Sequence, residues 1–244
     1  MAQQHHCPPH HDPNWSPNPV WAAVDKYTLS HLHPVSRPNT AALESTLESI
    51  KANGMPPGST ATIQSKFLAL QCRALKIKHV LEVGCLGGYT PIWIATENPE
   101  CRVTSIEISE KHAAVARENI KKAGVDDRVG VLVGPALEVL PGLLADIEAG
   151  KSERFGLTYI DADKLNSATY FDFGVKMGYS GGLVVVDNIV THGNLVVEDK
   201  FEHEHVKGGR QVVESVGKDD RVDALVMQTV AAKNYDGFLF SVIK

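Results

Sequence analysis

The sequence predicts a doubly wound α/β fold, in which helices cover both faces of a mostly parallel sheet. Short apolar runs, typical of buried strands, alternate with helical patterns over most of the 244 residues. Near the end of the chain, residues 222–230 and 237–243 form two strand-like runs with only a short segment between them. Such a connection allows an antiparallel hairpin and not a helical crossover, so we expect one reversed strand.

The first 20 residues are predicted to form an arm outside this fold. They contain four histidines and five prolines, a composition that sustains neither a helix nor a central strand. Residues 21–244 are expected to form a single domain, because their number fits one α/β core.

Three helices are predicted before the first strand. The first two cover residues 21–33 and 40–53, and Gly54 suits the left-handed backbone at a helix end. The third covers about 60–76, with Ser59 or Thr60 as its N-cap.

Strands and helices then alternate. The predicted strands cover residues 79–83, 102–106, 129–133, 155–160 and 182–186. The intervening helices are expected to begin near Tyr89, Ser109, Ala136 and Ala168. With the terminal hairpin this makes seven strands, an arrangement that resembles the class I methyltransferase variant of the Rossmann-like fold.

Charge and composition argue against several classes of protein. Lys and Arg number 24 against 29 Asp and Glu, so the net charge is -5, and no basic run could follow a nucleic-acid backbone. No apolar stretch approaches the roughly 20 residues of a membrane span, and the N-terminus lacks the regions of a signal peptide. Four cysteines without paired spacing are expected to be reduced. We therefore expect a cytoplasmic protein that binds neither nucleic acid nor membranes.

The loop after the first strand carries glycines at a strand-to-helix turn, where a ligand can approach the backbone closely. It reads EVGCLGGYT from Glu82 to Thr90. Leu86 stands where a dinucleotide fingerprint requires glycine, so a nicotinamide cofactor is disfavoured. The same crevice can hold S-adenosylmethionine, which has no phosphate. A tight turn without a ligand is the alternative.

Two further loops at the same predicted edge of the sheet favour this ligand. Glu107 ends the second strand 23 residues after Gly84, where a carboxylate can accept both hydroxyls of a ribose. Residues 134–137, Gly-Pro-Ala-Leu, follow the third strand and place backbone groups where an adenine edge would lie. The coincidence of three such loops indicates a cofactor site.

Oxygen-bearing side chains follow the fourth and fifth strands. Asp161 comes directly after residues 155–160, and Asp187 and Asn188 come directly after residues 182–186. Adjacent parallel strands bring these side chains to one point, where Mg²⁺, Mn²⁺ or Ca²⁺ can bind. The sequence therefore predicts a divalent-cation site, although an Asp-Asn pair also occurs in turns and caps.

Together these segments resemble the cation-dependent small-molecule O-methyltransferases, the family of caffeoyl-CoA and catechol O-methyltransferases. The resemblance covers about residues 55–244 and is carried by LEVGCLGGYT, Glu107, GPALEVLP, YIDADKLN and VVVDN. It implies methyl transfer from S-adenosylmethionine to a vicinal-diol phenol, of the catechol or hydroxycinnamoyl type, and a homodimer.

The resemblance also implies roles for individual residues. Those implied to hold S-adenosylmethionine are Thr60, Glu82, Gly84, the Cys85 backbone, Thr90, Glu107, Ala136 and Asp161. The metal is implied to lie on Asp161, Asp187 and Asn188, with Lys164 as the general base. Such an ion orients two vicinal oxygens and lowers the pKa of the attacking hydroxyl, whose proton Lys164 can take.

Two features depart from the family's pattern. His192 stands where plant caffeoyl-CoA enzymes carry a substrate-contacting Asn, and we expect it to contact the substrate. Residues 197–205 have no identified counterpart, and both a lid over the acceptor and a solvated charged loop stay open.

Three other functions stay open. Methylation of a hydroxyl on a modified RNA base is opposed by the net charge of -5. A nicotinamide-dependent dehydrogenase is opposed by Leu86 and by the terminal hairpin. A binding protein without catalysis is disfavoured because the predicted metal ligands are present.

Overall fold

The computed structural model describes residues 18–232 and 234–244, so the predicted arm lies almost entirely outside the described residues. The strands of the described part are β1 (His79–Val83), β2 (Arg102–Glu107), β3 (Val129–Val133), β4 (Phe155–Ile160), β5 (Gly178–Val186), β6 (Val222–Val230) and β7 (Tyr235–Ile243). They form one sheet in the order β3-β2-β1-β4-β5-β7-β6. Strands β1 to β5 pair in parallel, and β7 is antiparallel to both β5 and β6. The predicted sheet with one reversed strand is confirmed.

The helices surround this sheet. They are α1 (Pro19–Leu32), α2 (Thr40–Ala52), α3 (Thr62–Ala74), α4 (Tyr89–Glu97), α5 (Glu110–Lys122), α6 (Ala136–Glu148), α7 (Ser167–Met177) and α8 (Glu204–Val216). The Asn18 side chain caps α1, and the predicted Ser109 cap of α5 is confirmed, since its hydroxyl accepts the His112 N–H at 3.3 Å. In the described part of the chain no helix is long and apolar enough to cross a membrane.

The predicted cap of α3 is wrong. Ala61 is the N-cap and offers no side-chain hydrogen bond, so the helix begins later than the sequence pattern indicates. The Thr60 hydroxyl instead lies 3.0 Å from the Tyr159 hydroxyl and accepts a 3.0 Å hydrogen bond from Thr90. Thr60, although suited to cap a helix, thus forms buried contacts with Tyr159 of β4 and Thr90 of α4.

Helix α8 is not predicted by the sequence analysis, which treats its first residues as part of a charged loop. Short 3-10 turns at Thr191–Val196 and Glu198–Lys200 precede it, and the Arg210 guanidinium lies 3.8 Å from the Phe201 ring centroid. Gly208 and Gly209, which are poor helix formers, obscure the helical pattern. Residues 197–203 are mostly exposed and lead into α8, on which Phe201 packs through Arg210, so the lid and the solvated loop both stay open.

The core lies on both faces of the sheet, as alternation along buried strands requires. In β5, Leu183 and Val185 join the apolar cluster that contains Trp93, while Val184 and Val186 join the opposite cluster. Because both faces of the sheet are covered, the polar loops lie at its edge, where the carboxyl ends of β1 to β5 meet.

Candidate functional site

The site is built where the parallel strands end. Where two parallel strands end, one further hydrogen bond joins them. An N–H of the loop after one strand donates to a carbonyl at the end of the neighbouring strand. These bonds, of 2.8 to 3.0 Å, run from Gly134 to Glu107, from Gly84 to Ile106, from Asp161 to Val83, and from Asp187 to Ile160. Four loops that are distant in sequence are therefore held side by side.

The glycine loop after β1 lies directly against the loop after β4. Gly84 has a φ of +100°, and a Cβ atom there would collide with the Asp161 carbonyl oxygen. Gly88, with a φ of +84°, is the N-cap of α4. The predicted cofactor residues Gly84 and Asp161 are thus in backbone contact, which only glycine allows.

The Glu107 carboxylate is fixed by the backbone around it. Its Oε2 accepts the Leu86 N–H at 2.7 Å, its Oε1 accepts the Ser109 N–H at 2.9 Å, and the residue is only 6% exposed. Carboxylate oxygens retain further lone pairs after these bonds. The side chain is therefore held in one orientation and keeps acceptor capacity that a diol such as a ribose could use.

Glu82 and Cys85 lie beneath the glycine loop. Burial raises the pKa of the Glu82 carboxyl to about 8, although Ser105 Oγ donates a 2.6 Å hydrogen bond to it. Burial also raises the pKa of the Cys85 thiol, in agreement with a role for its backbone only. Ala136 begins α6 at the same edge, after Gly134 and Pro135.

A chain of hydroxyl groups connects the loop before α3 to the end of β5. Tyr159 donates a 2.8 Å hydrogen bond to Asp187 Oδ2, since a carboxylate only accepts. The Tyr159 oxygen can then accept from Thr60, which accepts in turn from Thr90, with 3.0 Å at each step. Two predicted cofactor residues are thereby linked to a predicted metal ligand.

Lys164, which is buried, and Asp161, which is partly buried, form an ion pair. Lys164 Nζ lies 2.9 Å from Asp161 Oδ1. Burial lowers the lysine pKa, but attraction to Asp161 and Asp187 outweighs it, and the net pKa is raised. The ammonium form is therefore favoured in the state described here.

Asp187 and Asn188 follow β5. Burial and the neighbouring Asp161 raise the pKa of Asp187 to about 6, against the opposing effects of Lys164 and Gln64. Gln64 Nε2 donates a 2.6 Å hydrogen bond to Asp187 Oδ1. The described residues contain no group of three His, Cys, Asp or Glu arranged for a metal, but the predicted set has two carboxylates and one amide. The donor chemistry of this set fits a hard divalent cation.

His192 lies in the same loop as Asn188. It is partly buried and has a left-handed φ of 57°. Its contact with a substrate stays a prediction, as do the individual roles of the other site residues.

Three residues of this site are missed by the sequence analysis: Gln64, Tyr159 and Asp236. Gln64 and Tyr159 reach Asp187 from α3 and β4, and Asp236 reaches the loop after Asp187 from β7. Asp236 could have been noticed as a carboxylate at the start of a buried apolar strand. The other two carry no comparable signal.

Known proteins resemble the chain over nearly its whole length. The sequence model of a family described as O-methyltransferase matches residues 35–234. O-methyltransferase imqG of Aspergillus flavus is 53% identical over 232 residues, which cover 95% of this chain and 94% of that protein. A catechol O-methyltransferase of Mycobacterium tuberculosis is 37% identical, over 83% of this chain and 89% of its own length.

A solved structure gives the same picture. The O-methyltransferase from Bacillus cereus, in complex with SAH, superposes with a TM-score of 0.85 at 37% identity, covering 93% of this chain and 99% of that chain. The resemblance found in the sequence is confirmed at the level of family and fold.

Proposed function

Because this chain belongs to the O-methyltransferase family, we propose that it methylates a vicinal-diol phenol in a reaction that depends on a divalent cation. The enzyme is S-adenosylmethionine-dependent, and O-methyltransferase structures that resemble it contain SAH or SAM. The cation and the phenol, of the catechol or hydroxycinnamoyl type, are the proposed parts.

The observation that carries the proposal is the convergence of Asp161, Asp187 and Asn188 at the ends of the adjacent strands β4 and β5. Burial, the largest cause, and repulsion from the neighbouring, partly buried Asp161 together raise the pKa of Asp187 to about 6. A divalent cation held by these residues would compensate the negative charge of both carboxylates. Mg²⁺ takes oxygen ligands of this kind, and Mn²⁺ and Ca²⁺ are the alternatives.

The bound cation supplies Lewis-acid chemistry, which lowers the pKa of a phenolic hydroxyl that it contacts. Asp161, Asp187 and Asn188 would hold it. A vicinal diol would offer such a cation two oxygens, whereas a phenol with one hydroxyl would offer one. A vicinal diol is therefore favoured as the acceptor, and the relative named catechol O-methyltransferase supports this choice.

Lys164 is proposed to receive the phenolic proton at Nζ. Its pKa is raised by Asp161 and Asp187, so compensating the charge of these carboxylates would lower the pKa and leave more of the lysine as the neutral amine, the form that accepts a proton. Burial, which opposes the ammonium form, then favours the neutral amine. The same ligands that bind a cation therefore control whether Lys164 can act as a base.

The methyl group moves by an in-line displacement. The sulfur–carbon bond breaks while the oxygen–carbon bond forms, and the sulfonium leaves as a neutral thioether. Catalysis of this step is mostly positioning. Glu107 and the loop around Gly84, which lies against the Asp161 backbone, are proposed to orient the donor.

The test is a comparison of acceptors with labelled S-adenosylmethionine and Mg²⁺. Catechol, caffeate and caffeoyl-CoA are the diols, and phenol and guaiacol are matched controls with one free hydroxyl. Methylation of diols well above the monophenols is expected. Equal rates on both would overturn the diol assignment, and methylation of hydroxylated RNA nucleosides alone would favour the RNA function.

A further inference from the structure

We propose that Asp236 is a positioning residue that turns the Asn188 amide oxygen toward the cation site. This inference rests on the proposed cation dependence. It concerns a buried carboxylate, 8% exposed, which comes from β7, a strand that supplies none of the predicted metal ligands.

Asp236 organises the loop that follows β5. Its Oδ1 accepts the N–H groups of Thr191 and Gly237 at 2.9 Å and that of Val190 at 3.2 Å. Its Oδ2 lies 3.3 Å from Asn188 Nδ2. One side chain thus contacts the loop backbone and the candidate ligand together.

The loop needs such support because its backbone is in an unfavourable conformation. Asn188, Thr191 and His192 all have φ between 50° and 59°, a region that favours glycine. Such conformations persist only where the surroundings enforce them. A buried acceptor that collects successive N–H groups provides that enforcement.

The orientation of the Asn188 amide follows from the chemistry of its partner. A carboxylate cannot donate, so the NH₂ group of Asn188 must face Asp236. Asn188 Oδ1 is then the amide atom turned away from Asp236, as a cation ligand requires. The Asn234 amide reaches the same Oδ2 at 3.5 Å and does not change this requirement.

Strand β7 holds the loop at a second point. Ile189 N–H donates to the Gly237 carbonyl at 2.9 Å, and a Cβ atom at Gly237 would collide with the Met227 carbonyl and the Val190 side chain. Asp236 is therefore kept at a fixed distance from the loop. Its carboxylate is better placed to set the direction of a ligand than a mobile side chain would be.

The experiment uses Asp236→Asn in the full chain, with Asp223→Asn on the exposed face of β6 as the matched control. Asn can donate as well as accept, so the Asn188 amide loses its obligatory orientation while the side-chain shape is kept. Binding of Mn²⁺ alone is measured by the loss of the free-ion electron paramagnetic resonance signal. Binding of SAH, the reaction product S-adenosylhomocysteine, is measured by calorimetry as the test of folding.

We expect Asp236→Asn to weaken Mn²⁺ binding by about tenfold or more, as loss of a partner behind a ligand does. SAH binding should be unchanged, and Asp223→Asn should resemble the wild type in both. Excess Mn²⁺ should restore methyl transfer to Asp236→Asn.

A second pair of variants asks whether the effect passes through Asn188. In an Asn188→Ala background, Asp236→Asn should weaken Mn²⁺ binding no further, because the two changes remove one interaction. An equal effect in both backgrounds, loss of SAH binding, or unchanged Mn²⁺ affinity would overturn the positioning role. Absence of Mn²⁺ binding by the wild type would instead overturn the proposed cation dependence and this inference with it.

Discussion

Lys164 Nζ donates a 2.9 Å hydrogen bond to Asp161 Oδ1 within the site, and only 9% of the lysine surface is exposed. Asp161 directly follows β4, and Lys164 begins the 3-10 turn Lys164–Asn166. One short segment therefore supplies both a proposed metal ligand and the proposed base. Whatever binds Asp161 changes the charge that Lys164 experiences.

Replacing Lys164 by Met should remove the proton acceptor. We expect kcat for catechol to fall by about 10²- to 10⁴-fold, the usual contribution of a general base. SAH affinity, measured by calorimetry, should be unchanged, and Lys176→Met on the exposed side of α7 should leave kcat unchanged. A wild-type kcat in Lys164→Met would show that another group takes the proton.

Tyr159→Phe should weaken both the fold and the cation site. The change removes the 2.8 Å hydrogen bond to Asp187, at a cost of about 1–3 kcal/mol for the buried acceptor that loses its donor. The Mg²⁺ concentration for half-maximal turnover should rise by about tenfold or more. Thermal unfolding measures the first effect and an Mg²⁺ titration of turnover the second. Tyr27→Phe, at an exposed position on α1, is the control. An unaltered Mg²⁺ requirement would contradict a link between Tyr159 and the metal.

Glu107→Gln should weaken donor binding specifically. Loss of hydrogen bonds to a charged carboxylate costs about 1.5–3 kcal/mol, which corresponds to a rise of about 10- to 100-fold in the dissociation constant for S-adenosylmethionine. Glu110→Gln, an exposed change in the next helix, is the control. If calorimetry gave the wild type and Glu107→Gln equal affinities for S-adenosylmethionine, Glu107 would not be a donor-binding residue.

Glu82 predicts a pH dependence of stability. Burial raises its pKa from 4.5 to about 8, so between these values the folded state holds a proton that the unfolded state releases. Stability from this group is therefore complete below pH 4.5 and declines as pH rises toward 8. In the ligand-free protein, Glu82→Gln should flatten this decline, whereas exposed Glu138→Gln should not. If the melting temperatures of the wild type and Glu82→Gln changed equally from pH 5 to 8, the raised pKa of Glu82 would be contradicted.

Strands β1 and β4 and the second part of β5 could be predicted from the sequence because they are mostly apolar runs that the fold buries on both faces. Strand β5 is longer than predicted, since its first part, which includes exposed Tyr179, carries no apolar pattern. Helix α8 is missed because glycines interrupt it, although Gly208 is there to let the helix approach the Lys164 backbone. Tertiary packing, not local preference, decides such a segment.

In the candidate site, too, some residues could be predicted from local sequence and others depend on tertiary packing. Asp161, Asp187 and Asn188 could be predicted, because residues directly after parallel strands share one edge. Gln64 carries no local signal and contacts Asp187 across 123 residues of chain. Asp236 stands out only as a carboxylate beside an apolar strand, which does not reveal its contact with Asn188, 48 residues away. Their roles depend on which elements pack together across the sheet, and no local pattern encodes that.

The most direct test of the account is methyl transfer to catechol by protein treated with EDTA and then supplied with Mg²⁺, with binding of S-adenosylmethionine followed in parallel. The account predicts that EDTA abolishes turnover, that Mg²⁺ restores it, and that the donor stays bound throughout. Full turnover in EDTA would contradict the proposed role of Asp161, Asp187 and Asn188 as cation ligands.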